Sequence, residues 1–331
     1  MSVRELVVLG TASQVPTRYR NHNGYLIRWD GEGFLFDPGE GIQRQLIHAG
    51  VSSTDITKIC ITHFHGDHCL GLAGISQLLS LDGCPHPVHV YFPASGEKYY
   101  HRLRRASIYH DRAEVHGHPV PEPGPERTCV WSVDEERKGL KLEVASLNHG
   151  VPTMGYRLEE RGGWTLDPDK LREAGLRGPM IKQLQQAGEL EVDGKTVTLA
   201  DVGKPRRGQV VAFVMDTRLC KGAFDLAEGA DMLICESTYI EADLQRAKDN
   251  GHLTAKQAAR IAKEAGVEQL VLTHFSRRYD RNAPFLEEAR EVFDGEIVAA
   301  RDFDVVPLPK RSKGKKDKQK RDQPKAEKAE G

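Results

Sequence analysis

The run His63-Phe64-His65-Gly66-Asp67-His68 decides how this chain is read. It follows the apolar stretch Lys58-Ile59-Cys60-Ile61-Thr62, which has the composition of a buried strand. Four metal-ligand side chains within six residues, presented where a strand ends, are hard to account for as isolated structural histidines. His63 and His65, two apart, can point to one side of an extended segment and share one metal. Asp67 and His68 follow a turn at Gly66 and can face a second.

Working outward, the same arrangement recurs. Val144 to Leu147 leads to His149, Val211 to Met215 to Asp216, and Leu270 to Thr273 to His274. Loops at strand ends are where a rigid scaffold presents reactive groups. Any one of these residues alone would read as a satisfied polar group. Together with the run they supply about the number of further donors that two metals need. Imidazole and carboxylate suit zinc, manganese or iron, and no thiolate is offered. The six cysteines, at 60, 69, 84, 129, 220 and 235, form no C-x-x-C pair, so reduced thiols are expected.

Short β-branched runs alternate with helical patterns. Strands are expected at Arg4–Leu9, at Gly24–Trp29 and Phe34–Asp37 as a hairpin about Asp30-Gly31, and at Val88–Phe92, Leu140–Leu147 and Met154–Leu158. Further strands are expected at Gln209–Met215, Asp231–Cys235, Gln269–Thr273, Glu296–Ala299 and Val305–Leu308. Helices are expected at Gly39–Ala49, Leu70–Leu81, Ser95–Ala106, Ile240–Lys248, Thr254–Ala265 and Phe285–Phe293, with Thr254 as an N-cap. Strands in runs with helices between them predict an α/β fold of packed sheets with helices outside. Arg161 to Arg207, rich in Gly, Pro, Lys and Glu, reads as an insertion with short helical pieces near Lys170 and Ile181.

The chain has 331 residues and a formal net charge of -1. Lys310 to Gly331 holds 10 basic and 4 acidic residues, so a body of net -7 carries a tail of +6. The tail has too little apolar surface to fold and is expected to be disordered, either solubilising the chain or attracting a polyanion such as RNA. No apolar run approaches a membrane span, and the first ten residues read as a strand rather than a signal peptide. A cytoplasmic protein without a membrane is expected.

The run His63 to His68 resembles the signature of the metallo-β-lactamase superfamily. The remaining blocks resemble ribonuclease Z, the tRNA 3′-processing endonucleases. These are Leu9-Gly10-Thr11, Phe36-Asp37-Pro38-Gly39-Glu40, and His149 to Tyr156. They continue with Asp216-Thr217-Arg218, Cys235-Glu236-Ser237-Thr238-Tyr239, His252 with Thr254, Gln257 and Ala258, and Leu272 to Tyr279. The resemblance covers Met1 to about Leu308 in order. It implies an αββα sandwich over 1–309 and two Zn2+ per chain, with Mn2+ or Fe2+ as alternatives. One ion would lie on His63, His65 and His149 and the other on Asp67, His68 and His274, with Asp216 bridging.

It further implies that Asp67 orients the attacking water and accepts its proton, and that His252, assisted by Glu236, protonates the leaving 3′-oxygen. Arg278 would hold the phosphate, with a surface salt bridge as its bland alternative. Simple helix capping is the bland alternative for His252. The insertion would be an exosite arm gripping tRNA, its turn carried by Arg177-Gly178-Pro179-Met180. Gly178 and Pro179 would thus bind substrate. TRNA precursors are the implied partners and a homodimer the implied assembly. Two other readings stand beside this one: a small-molecule thioesterase, lactamase or phosphodiesterase of the same fold, and an inactive RNA-binding relative.

The chain departs from the family at Ala12, Met215 and Leu253, where glycine, glycine and serine are usual. Lys182-Gln183-Leu184-Gln185-Gln186 carries one lysine where the arm is often lysine-rich, which implies fewer phosphate contacts. If the basic tail compensates, deleting Lys310 to Gly331 weakens tRNA binding mainly at low salt. A filter-binding titration across salt concentrations tests this, and an unchanged affinity counts against it.

Overall fold

The structure, a computed structural model, describes residues 3–133 and 139–310. The tail expected to be disordered lies outside the described residues from Arg311 onward. Two units are distinguished: Met1–Arg161 with Gly208–Leu308, and a second built on Gly162–Arg207.

In the first unit, strands that are mostly buried on both faces make two seven-stranded sheets. One runs, edge to edge, Val305–Pro307, Arg4–Gly10, Gly24–Trp29, Glu32–Phe36, Lys58–Cys60, Val88–Pro93, Val115–Val120. The other runs Glu296–Ala299, Gln269–Thr273, Met232–Glu236, Val210–Val214, Thr153–Glu160, Leu140–Leu147, Thr128–Val133. Each is mixed. Glu32–Phe36 through Val115–Val120 are parallel in the first, and Val210–Val214 through Glu296–Ala299 in the second.

Both faces of the central strands are apolar, so both must be covered. Leu6 and Val8 join Phe34, Phe36, Tyr156 and Phe213 in the layer between the sheets. Val7 and Leu9 point the other way, against helices Ile42–His48, Leu72–Leu81 and Glu97–Arg104. Val211 and Phe213 enter the central layer, while Val210, Ala212 and Val214 meet Lys221–Ala227, Ala255–Glu264 and Ala283–Arg290. This is the expected αββα sandwich. Each fully buried Leu, Ile or Phe contributes about 1.5–3 kcal/mol. Ala12, Met215 and Leu253, the three departures, are each 0% exposed and fill apolar space.

Most elements lie where the sequence places them, and the differences have local causes. The hairpin turns through Asp30 (φ 51°) and Gly31 (φ 93°), the two positive angles that a two-residue type I′ loop needs. The helix expected from Gly39 begins at Ile42, because Gly41 is left-handed (φ 84°) and Gly39 packs against the Asp67 carbonyl oxygen. The helix expected over Leu70–Leu81 begins at Leu72, after a separate turn Gly66–Cys69, and Gly71 between them presses on the Gly39 carbonyl. Val115–Val120 was not expected, since a run with two histidines, Gly and Pro lacks strand propensity; it is a terminal strand, where proline costs no ladder bond. Thr128–Val133 and helix Lys221–Ala227 are further additions.

The second unit has helices Pro168–Glu173 and Pro179–Ala187, as expected, and two unexpected strand pairs: the hairpin Glu189–Val192 with Lys195–Thr198, and Gly163–Leu166 with Gly203–Arg206 at the two ends of the unit. Leu171, Leu176, Leu184, Val192 and Val202 form its own small core. Its Asp193-Gly194 turn repeats the two positive φ angles, 51° and 75°.

In the first unit, the half-buried Asp302 accepts from Thr11 Oγ1 at 2.8 Å and Asn21 N at 2.6 Å. Burial outweighs these bonds and raises its pKa to about 6. A carboxyl with a higher pKa folded than unfolded takes up a proton on folding. Its stabilising effect is therefore full below the unfolded value near 4 and falls away as pH rises through the folded value. Asp302→Asn should flatten this part of the stability curve, read from denaturant midpoints between about pH 4 and 7. An identical pH dependence in variant and parent would contradict the assignment.

Candidate metal centre

The parallel strands Lys58–Cys60, Val210–Val214 and Gln269–Thr273 all end at the same rim of the sandwich, and there the chain delivers its ligands. His63 and His65 lie in extended backbone, and Asp67 and His68 sit on the single helical turn Gly66–Cys69. Asp216 (φ 42°) and His274 (φ 61°) hold left-handed backbone angles. Non-glycine residues in that region are strained and cluster at functional sites.

Side chains from distant segments then converge. His63, His65, His149 and Asp216 form one group of mutually close donors, and Asp67, His68 and His274 another. Asp216, 3% exposed, stands between them. Its Oδ2 is 3.7 Å from both His63 Nε2 and His149 Nε2, and its Oδ1 is 3.4 Å from His68 Nε2 and 3.2 Å from His274 Nε2. The exposed His65 and the half-buried Phe64 mark where the cluster opens to solvent.

The imidazoles are aimed from behind. Asp37, fully buried, accepts from Thr62 Oγ1 at 2.8 Å and from His68 Nδ1 at 2.8 Å. Thr62 Oγ1, its hydrogen given to Asp37, accepts from His63 Nδ1 at 3.0 Å. Glu236 repeats the device. Its Oε2 accepts from Thr238 Oγ1 at 2.6 Å, and that hydroxyl accepts from His274 Nδ1 at 2.8 Å. His149 Nδ1 donates to the Gly251 carbonyl at 2.9 Å. In each case Nδ1 is occupied and Nε2 faces inward, the arrangement that fixes a metal ligand's tautomer.

The donors fit divalent cations. Asp216 Oδ1 and His274 Nε2 are buried without a hydrogen-bond partner, although nearly all buried polar atoms have one. Burial, and then His68, hold His63 well below the usual imidazole range; burial likewise lowers His65. Both are thereby neutral, as ligation requires. Burial would also depress His68, but Asp216, Asp67 and Asp37 outweigh it and hold its pKa well up. Burial opposes ionisation of Asp216 and Asp67, yet the surrounding imidazoles keep both low. In the chain alone a proton on His68 supplies positive charge that this carboxylate cluster demands.

His252 Nδ1 lies 3.1 Å from Glu236 Oε1 and 4.0 Å from Asp216 Oδ2. Burial would lower its pKa, but Glu236 and Asp216 raise it to about 9. Its bland alternative fails, because Thr254 caps the following helix in a reciprocal box with Gln257. His252 also falls within ligand reach of Asp216 and His274. Asp67 Oδ2 accepts from the Gln14 amide at 2.7 Å and lies 3.3 Å from His68 Nε2 and 3.6 Å from His274 Nε2.

The three substrate-binding expectations are not among the donor groups. Arg278 is half exposed, with Nε 3.8 Å from Asp243 Oδ2, so the ion pair of its bland alternative is present. Gly178 (φ 48°) and Pro179 open helix Pro179–Ala187 in the second unit. Roles for Thr62, Thr238 and Gln14 were not expected. A threonine beside a ligand, or a backbone N–H such as that of Gln14, carries no signal without the fold, and Asp37 stood out only within a family block.

The profile described as "Metallo-beta-lactamase superfamily" matches residues 17–163, and that described as "Beta-lactamase superfamily domain" matches residues 180–275. The chain is 55% identical to "Ribonuclease Z" of Nocardia farcinica over 94% of this chain and 100% of that one. It is 49% identical to "Ribonuclease Z" of Protochlamydia amoebophila over 90% and 95% of the two chains. Among solved structures it resembles human tRNase Z, short form, with TM-score 0.67 at 24% identity, over 92% of this chain and 99% of that one. That structural likeness speaks for the fold.

Thr238→Val keeps the side-chain shape and removes the hydroxyl joining Glu236 to His274. Metal affinity should fall roughly 10–100-fold, measured by competition with a chromophoric chelator. Unaltered affinity would show that the hydroxyl does not orient the ligand.

Proposed function

The chain belongs to the ribonuclease Z family of the metallo-β-lactamase superfamily, and from that premise we propose that it is a hydrolytic endoribonuclease that removes 3′ trailers from tRNA precursors. The observation that carries the chemistry is the His252–Glu236 pair, at 3.1 Å, beside a cluster of seven donor side chains shared about Asp216. A proton donor at the edge of a carboxylate–imidazole centre is what cleavage of a phosphodiester to an alcohol needs.

We propose that the centre holds two divalent cations, Zn2+ foremost, on His63, His65 and His149 and on Asp67, His68 and His274, with Asp216 shared. When bound, such ions lower the pKa of water in the site and offset charge on the phosphodiester. The chain's own groups do the rest. Asp67, fixed by the Gln14 amide at 2.7 Å, orients the attacking water and accepts its proton. As the water oxygen bonds to phosphorus, the bond from phosphorus to the 3′-oxygen breaks. His252 gives that oxygen its proton, and the Glu236 carboxylate stabilises the imidazolium beforehand. The tRNA keeps a 3′-hydroxyl and the trailer a 5′-phosphate. Arg278 would hold the phosphate after exchanging its Asp243 partner.

The family premise also supports three wider proposals. The unit Gly162–Arg207, with Gly178 and Pro179 at its turn, serves as an arm for tRNA. The enzyme works as a homodimer. It works in the cytoplasm, and among the described residues no helix is long and apolar enough to cross a membrane. A small-molecule hydrolase of the same fold would have no use for the His252–Glu236 donor at a 3′-oxygen or for the arm.

An unprocessed tRNA, a small phosphodiester and a thioester, assayed side by side, decide between these readings. Cleavage of the tRNA just after the discriminator base or the CCA end is expected, and preference for the thioester would overturn the proposal. Asp67→Ala should abolish cleavage while leaving tRNA binding largely intact; a variant that still cuts would remove Asp67 from its role.

A further inference from the structure

A second group of imidazoles gathers away from the Asp216 cluster, at the other edge of the first sheet. His89 lies in Val88–Pro93, and His116 and His118 lie in the neighbouring parallel strand Val115–Val120. The register sets His89 opposite His116, and His118 opposite Tyr91. Period-two alternation therefore puts the three imidazoles on one face. Val115–Val120 is the last strand of its sheet, so this face is reached from solvent.

His89 Nδ1 and His118 Nε2 are 2.9 Å apart. The same approach occurs inside the metal centre, where His63 Nε2 and His65 Nδ1 are also 2.9 Å apart. Two nitrogens at about 2.0–2.1 Å from a zinc ion and this far from each other subtend roughly 90° at the metal. The ring of His116 stacks on that of His89 with centroids 5.4 Å apart, and His118 stacks on Tyr91 at 4.9 Å. His116 Nε2 meets Glu114 Oε1 at 2.7 Å, a carboxylate–imidazole pairing that leaves Nδ1 for an ion. His116 stands beside the pair with an exposed side chain, and it would have to turn to join the other two.

We propose that His89, His116 and His118 form a further binding site for a borderline transition-metal dication, Zn2+ foremost, separate from the Asp216 centre. Imidazole donors suit zinc, copper or nickel and not magnesium or calcium. Burial, and then the neighbouring imidazoles, lower the pKa of His89 and His118, so no proton need be displaced at neutral pH. Lys58 faces His89, but Glu32 neutralises it at 2.7 Å. An ion there ties the last two strands together at an otherwise open sheet edge.

Full-length protein, loaded with Zn2+ and dialysed, provides the test. Anomalous diffraction at the zinc edge should show a peak between His89 and His118 as well as density at the Asp216 cluster; no peak there overturns the site. His89→Ala with His118→Ala should lower bound zinc by one ion per chain and leave tRNA-precursor cleavage unchanged. Equal zinc content in parent and variant overturns it, as does zinc that dialyses from both equally fast. Glu114→Gln should weaken binding about tenfold.

Discussion

Asp216 is the constraint around which the rest is arranged. Its carboxylate is 3% exposed and turns one oxygen toward His63 and His149 and the other toward His68 and His274. An ionised carboxylate taken out of water is costly unless positive charge compensates it. A second carboxylate, Asp67, and a third, Asp37, deepen the same demand around His68. Such a cluster is stable only with positive charge within it, which a proton on His68 or bound cations can supply.

The sandwich meets that constraint by rigidity. Strands buried on both faces end together at one rim, and the residues that follow them accept angles that free chains avoid: Asp37 at φ 44°, Asp216 at 42°, His274 at 61°. Each such angle costs of order 1–3 kcal/mol, offset by the packed layers on either side. Behind the ligands stand two carboxylate–threonine–histidine chains, Asp37-Thr62-His63 and Glu236-Thr238-His274. Asp37 also holds His68, and Glu236 also holds His252. Each carboxylate thus sets two imidazoles.

Glu236 has a double duty. Its Oε2 positions His274 through Thr238, while its Oε1 holds His252 and accepts the Thr217 amide at 2.6 Å. One carboxylate thus holds His252 directly and His274 through a hydroxyl. The second unit rests on packing of its own. Gly162–Arg207 has its own small core, and its helix Pro179–Ala187 carries a single lysine.

Much of this was legible in the sequence because its signals are local. Alternating apolar residues marked most of the sandwich strands, and positive-φ turns at Asp30-Gly31 announced a hairpin. His63 to His68 declared a metal site because four donors fall within one short segment. His149, Asp216 and His274 were readable as strand-end residues, and as partners only through the run and the family blocks. The strand Val115–Val120 escaped notice because its place at a sheet edge, not its composition, makes it a strand. Only the tertiary structure decided that Asp216 is shared between two donor groups. It alone brought Asp37 to Thr62 and Thr238 to His274, and joined His252 to Glu236 rather than to a helix cap. Hydrogen-bond direction and the field of buried charge depend on which distant segments meet, and that is settled by packing two sheets face to face.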